Sequence, residues 1–151
     1  MSTADKIITE ARTWIGTPYH HQASLKGVGC DCLGLIRGVW RALYDEEPEV
    51  PPPYTPDWAE ACGGETLLDA ATRHLQSIET AGAGAGDIVL FRWRGHLPAK
   101  HCAILTGPET MIHAHELTPV AEVPLGPWWR RRMAAAFRFR EVPDRNFRKT
   151  L

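Results

Sequence analysis

The sequence has no long hydrophobic run, no strong charge of either sign and no dense set of cysteines. Nothing approaches the roughly 20 apolar residues of a membrane-spanning helix, so no membrane insertion is expected. A formal net charge of -1 gives no overall pull toward nucleic acid. Cys30, Cys32, Cys62 and Cys102 do not have the spacing of a small disulfide-stapled secreted scaffold. Met1 to Ile8 has neither a basic start nor an apolar stretch of export-signal length, which predicts cytoplasmic synthesis and reduced thiols. Lys and Arg are missing from Ala42 to Thr66, whereas the residues from Trp128 onward are strongly basic. This asymmetry reads most simply as solvated faces on opposite sides of the fold; the sharper reading is a basic edge for an anionic polymer or partner.

What is present fits one domain spanning residues 1–151. Ser2 or Thr3 caps a first helix through about Ile15, with Ile7, Ile8, Ala11, Trp14 and Ile15 on one face and Gly16 as the stop. A polar loop covers His20 to Gly29, and a second apolar-periodic helix runs from Cys32 to about Tyr44. Pro48 to Pro56 holds five prolines, so 48–60 is expected as an extended surface segment. A third helix is expected over Thr66 to Gln76. Ala81 to Gly86 lacks the Lys-Ser/Thr of a phosphate loop and reads as a flexible connector.

Strand patterns follow at Ile88 to Trp93, His101 to Thr106, Thr110 to His115, Val120 to Val123 and Met133 to Glu141, with a turn at Gly126-Pro127. Residues 128–151 form a basic C-terminal strand and tail, in which Phe137 and Phe139 alternate with Arg138 and Arg140. Helices first and an antiparallel meander second predict an α+β fold, N-terminal helices packed on the sheet.

The chemistry centres on Asp31-Cys32, which follows Gly27-Val28-Gly29 and opens the second helix. A first helical turn has unpaired N–H groups and the positive end of the macrodipole, and both favour a thiolate. Cys32 is therefore a candidate nucleophile, against the plainer alternative of a packed thiol. His101 opens a strand, and a hairpin through Gly107-Pro108-Glu109 brings it beside His113 and His115, which share one side of the next strand. Two imidazoles can then meet on the sheet near the Cys32 helix, while His74 and His96 read as polar surface residues. Cys30, Cys32, His101, Cys102, His113 and His115 are also zinc-ligand types. Cys-x-Cys is tighter than the usual zinc spacing, and adjacent strand residues His101 and Cys102 point apart, so no metal or other cofactor is expected.

Gly16-Thr17-Pro18-Tyr19, Asp31-Cys32-Leu33-Gly34-Leu35, Gly86 to Phe91, His101 to Gly107 and Met111-Ile112-His113-Ala114 stand in the order and approximate spacing of one family. The chain resembles the NlpC/P60 cysteine peptidases, papain-like α+β domains that cleave peptidoglycan stem peptides. The resemblance implies Cys32 as nucleophile, His101 as general base paired with the thiolate as an imidazolium, and His113 as the residue that orients His101. It also implies that the Tyr19 hydroxyl lies near the thiol and helps hold the oxyanion, and that the bond cut joins D-glutamate to a diamino acid. Trp128-Trp129-Arg130-Arg131-Arg132 resembles the end of the phage-associated and gene transfer agent branch. That likeness implies carriage in a particle tail with tail or hub proteins as partners, Asp45 to Glu60 and the basic C-terminus being the candidate surfaces. The alternatives are a mainly structural tail component with a vestigial site, a zinc hydrolase, or an acyltransferase or thioesterase on the same fold. Leu33 replaces the family's Ser, residues 22–28 replace its Gly-Gly loop, and Cys102 stands where Val is common and is expected to face the core.

Overall fold

The computed structural model describes residues 1–45, 47 and 65–142. The prolines from Pro48 to Pro56, Cys62, nearly all of the acidic segment to Glu60, and the basic tail past residue 142 lie outside the described residues.

Helix α1 spans Thr3–Arg12 and starts with a capping box: Ser2 Oγ accepts the Asp5 N–H at 3.1 Å while the Asp5 carboxylate accepts the Ser2 N–H at 3.2 Å. It buries Ile7, Ile8 and Ala11. The helix stops at Arg12 rather than Ile15, because Gly16 takes a φ of 91° and donates its N–H to the Val120 carbonyl at 2.8 Å, drawing the chain off the helix axis. Trp14 still reaches the core, whereas Ile15, expected inward, is exposed.

The loop expected to be irregular contains a two-stranded ribbon, β1 (Ser24–Leu25) with β2 (Gly29–Cys30). Helix α2 follows over Cys32–Tyr44, with Asp31 as its N-cap and Asp45 as a left-handed C-cap. Two glycines set how closely it packs. A Cβ at Gly34 would run into the Ala23 carbonyl oxygen, and one at Gly38 into the Trp14 ring. Leu35 and Val39 are fully buried, each contributing roughly 2 kcal/mol of apolar burial.

Helix α3 (Thr66–His74) ends two residues earlier than expected. Leu75 turns extended, and Gln76–Ile78 become strand β3 at the sheet edge. Ala81 to Gly86 forms an ordered turn in place of the expected flexible connector: a 3-10 turn at Thr80–Gly82, the Gly84 N–H donated to Asp87 at 2.9 Å and the Gly86 N–H to Leu105 at 2.8 Å. Asp87 is in turn held by both forks of Arg138 at 2.9 Å.

Strands β4 (Ile88–Phe91), β5 (His101–Leu105), β6 (Thr110–His113), β7 (Ala121–Pro124) and β8 (Met133–Arg138) complete an antiparallel sheet of order β3-β8-β4-β5-β6-β7. Between β7 and β8 the expected turn is followed by a short helix, α4 (Pro127–Arg130), opened by a proline whose missing N–H costs nothing at that position. The fold is thus α+β, with the helices on an antiparallel sheet as expected.

The sheet has two unlike faces. Ile88, Leu90, Cys102, Ile104 and Ile112 pack with Ile7, Ala11, Trp14, Leu35 and Val39 of the helical layer. Val89, Phe91, Ala103, Leu105 and Met111 point the other way, onto Leu125 and Trp129.

Candidate active site

Asp31 shapes the entry to α2. Its buried carboxylate accepts the Gly34 N–H and the Gln22 N–H, each at 2.7 Å, so cap and preceding loop share one anchor. Cys32, the first residue of α2, is half-buried; its Sγ lies 3.9 Å from the Lys100 carbonyl oxygen and within hydrogen-bonding reach of the Cys102 thiol. That bond and burial hold Cys102 well above the usual thiol range. Burial, with the charges of Asp31 and Cys32, pushes Cys30 up to about 12. Both neighbours are therefore inert thiols at neutral pH. Tyr19 pairs with Cys30 through an isolated parallel bridge. Burial, then the charge of Cys32, raises its hydroxyl above the usual range, so the group is a neutral donor.

The second half of the site sits on β5 and β6. His101 Nε2 and His113 Nδ1 are 2.9 Å apart, one ring donating and the other accepting. His115 completes a three-ring cluster, 5.3 Å from His101 and stacked on His113 at 5.5 Å between centroids. Trp129 of α4 lies 5.2 Å to 5.4 Å from all three rings, and Trp93 and Phe91 close the side of His101. His101 and His113 are buried. Burial first, then the charges of His113 and His115, holds His101 well below the usual histidine range. Burial, with His115, pushes His113 down to about 4. Burial and the neighbouring rings thus push both histidines toward the neutral imidazole, against the direction of the imidazolium that the resemblance implies at His101.

The two halves approach β5 from opposite sides. Cys102 and Ile104 face α2 and Cys32; His101, Ala103 and Leu105 face Phe91 and Trp129. They converge where the strand begins, at Lys100 and His101. Among the described residues no hydrogen bond joins Cys32 to His101. None of their His, Cys, Asp or Glu side chains forms a group of three placed to hold a metal ion, and none of their helices is long and apolar enough to cross a membrane.

Some placements were not foreseen. Cys102 faces the core as expected, yet there it meets Cys32. His96 is exposed as expected, but His74 is half-buried and lines a cavity of about 110 Å³ between α2 and α3 instead of lying on the surface. His115 was visible as a residue on the His113 side. Trp93 and Trp129 carried no periodic signal that tied them to the histidines.

A helix that presents a thiol at its first residue, laid on an antiparallel sheet bearing a histidine pair, defines a papain-like domain. Within that class the chain belongs to the NlpC/P60 family, whose model matches residues 16–138. Its structure is similar to the NlpC/p60 domain of the peptidoglycan hydrolase SagA, with 23% identity, 89% of this chain and 97% of that chain covered, and a TM-score of 0.62. It is also similar to an NlpC/P60 family protein from Bacillus cereus at 22% identity and a TM-score of 0.64; 93% of this chain is covered, but it spans only 40% of that protein. A third similar structure is RipD from Mycobacterium tuberculosis, described as a non-catalytic NlpC/p60 domain protein adapted to peptidoglycan binding, at 14% identity and a TM-score of 0.58 over 91% of this chain and 96% of that one. Identities this low establish the fold. No curated protein matches the chain in sequence.

Proposed function

We propose that the protein is a cysteine peptidase that hydrolyses amide bonds in peptidoglycan stem peptides. Cys32 is the nucleophile, His101 the general base, His113 the residue that orients His101, and Tyr19 a donor at the oxyanion. The observation that carries this reading is the 2.9 Å His101–His113 hydrogen bond at the start of β5, where α2 brings in Cys32.

A neutral buried imidazole is a competent proton acceptor at neutral pH. His101 takes the thiol proton as Cys32 Sγ attacks the amide carbonyl. The oxyanion then lies against the Cys32 backbone N–H, one of the donors that a first helical turn leaves unpaired, and the Tyr19 hydroxyl. His101 returns the proton to the leaving amine, and water hydrolyses the thioester. Catalytic hydrogen bonds commonly tighten in the substrate complex. Here the tightening required is movement of Cys32 and His101 toward each other around the start of β5. The family resemblance directs the cut to the bond between D-glutamate and a diamino acid.

A second reading is a non-catalytic wall-binding or structural tail module. It is favoured by the thiol, whose hydrogen-bond partners are Lys100 and Cys102 rather than His101. Digestion of purified muropeptides, with Cys32→Ala as control, separates the two: cleavage lost in the variant supports the peptidase, and binding without cleavage supports the module.

For delivery, the reading is assembly into a phage-like or gene transfer agent tail, supported by the Trp128 to Arg132 resemblance. Proteomics of purified particles tests it; a protein found only in the soluble cell fraction contradicts it.

A further inference from the structure

The basic C-terminal half of the chain is not explained by thiol chemistry. Strands β4 and β8 shift register between Leu90 and Phe91, the Arg92 N–H still donates to the Arg132 carbonyl at 2.9 Å, and the residues around this junction line a cleft of about 320 Å³. Its lining includes Arg92, Trp93, Arg94, Arg131, Arg132 and Met133 and, among the described residues, no acidic residue. Two of these arginines are committed. Arg92 donates to the Glu65 carboxylate at 3.2 Å and 3.1 Å and to the Leu97 carbonyl at 2.7 Å. Arg132 lies flat on the Trp128 ring, 3.7 Å from its centroid, and donates to the Trp128 carbonyl at 2.9 Å.

The other two are not. Arg94 and Arg131 are exposed, and among the described residues neither guanidinium has a carboxylate partner. Gathering like charges without a counter-charge is unfavourable unless something else supplies the negative charge.

We propose that this cleft binds an oxyanion, a carboxylate or a phosphate carried on an anionic polymer, held by the guanidinium forks of Arg94 and Arg131. Planar guanidinium groups suit both oxyanions through paired hydrogen bonds. Arg132, held by the Trp128 ring and carbonyl rather than by a carboxylate, adds a third positive charge, while that of Arg92 is matched by Glu65. The cleft also has a direction. Trp93, in its wall, lies 6.0 Å from Trp128, 5.9 Å from Trp129 and 5.6 Å from His101, so its aromatic side continues into the histidine cluster. A chain anchored by its charge at Arg94 and Arg131 passes Trp93 on the way to His101. Anion binding stands independently of the hydrolase reading; only its use in setting the position of the scissile bond rests on it.

The test is titration of the full chain with polyphosphate and with poly-L-glutamate, followed by tryptophan fluorescence. Saturable binding is expected, weakening as salt rises. Arg94→Ala/Arg131→Ala weakens it about tenfold or more. Arg94→Lys/Arg131→Lys, which keeps the charge and loses the fork, falls between. Preference for polyphosphate identifies phosphate as the natural group, and preference for polyglutamate identifies carboxylate. Absence of saturable binding to either polymer overturns the proposal, as does equal binding by the double alanine variant with an unchanged melting temperature. Muropeptide cleavage is decided by a separate assay, so either reading can fall without the other.

Discussion

The two faces of strand β5 are built on different principles. The face toward the helices is an apolar interlock in which Cys102, Ile104 and Ile112 meet Leu35, Val39 and Trp14, and its work is to fix α2 and its first residue. The opposite face ends in three imidazoles roofed by Trp129, two of them, His101 and His113, joined by a hydrogen bond. The helix side tolerates any well-packed apolar group at most positions; the histidine side depends on protonation. The comparison also explains the separation of the candidate nucleophile and base. Each is held by a different face, and they adjoin only at Lys100 and His101.

The largest effect that sharpens this contrast is pH. His113 titrates near 6.5 when unfolded and at about 4 when folded, so between those values the unfolded chain binds more protons. The stabilisation is present above 6.5 and lost as pH falls toward 4, on the order of 3 kcal/mol for this residue. Urea unfolding across that range shows the loss, and His113→Asn flattens it. Trp129→Ala opens the same face and costs about 3 kcal/mol. It also raises the His101 and His113 titrations toward 6.5 by readmitting water, which histidine NMR reads directly.

On the helix side the corresponding break is Gly38→Ala, which drives a methyl into the Trp14 ring. It costs about 2 kcal/mol by overpacking, with no new pH dependence. Cys102→Val exchanges one small buried group for another on that face. Its stability cost is below about 1 kcal/mol, and any change in the alkylation rate of Cys32 relative to Cys30 reports the worth of the thiol–thiol hydrogen bond.

Much of this arrangement was legible in the residues, for identifiable reasons. Cys32 at a helix start follows from Asp31, a capping residue ahead of an apolar-periodic run, and the His101–His113 pairing follows from strand parity and a short hairpin. The helix-side placement of Cys102 follows from the same parity. Strand β3 was missed because the helical pattern was carried on to Gln76, and Gln76 to Ile78 become a strand only by pairing with β8. Helix α4 was missed because Gly126-Pro127 signals a turn and a helix start alike. The downward push on His101 was not legible because it depends on what buries the ring, and Trp129 is 28 residues away in sequence. The arginine cleft was foreseeable only as basic composition; the pairing of β4 with β8, which sets Arg92 beside Arg132, makes it a place.

The most direct test of the central claim is digestion of purified muropeptides at pH 7, read by mass spectrometry for the wild-type chain, Cys32→Ala and His101→Ala. The wild type is expected to cut the stem peptide into two fragments. Both variants lose at least about a thousandfold in rate while Cys32→Ala keeps its melting temperature. Cleavage that persists in a folded Cys32→Ala protein, or muropeptides left intact by a folded wild type, contradicts it.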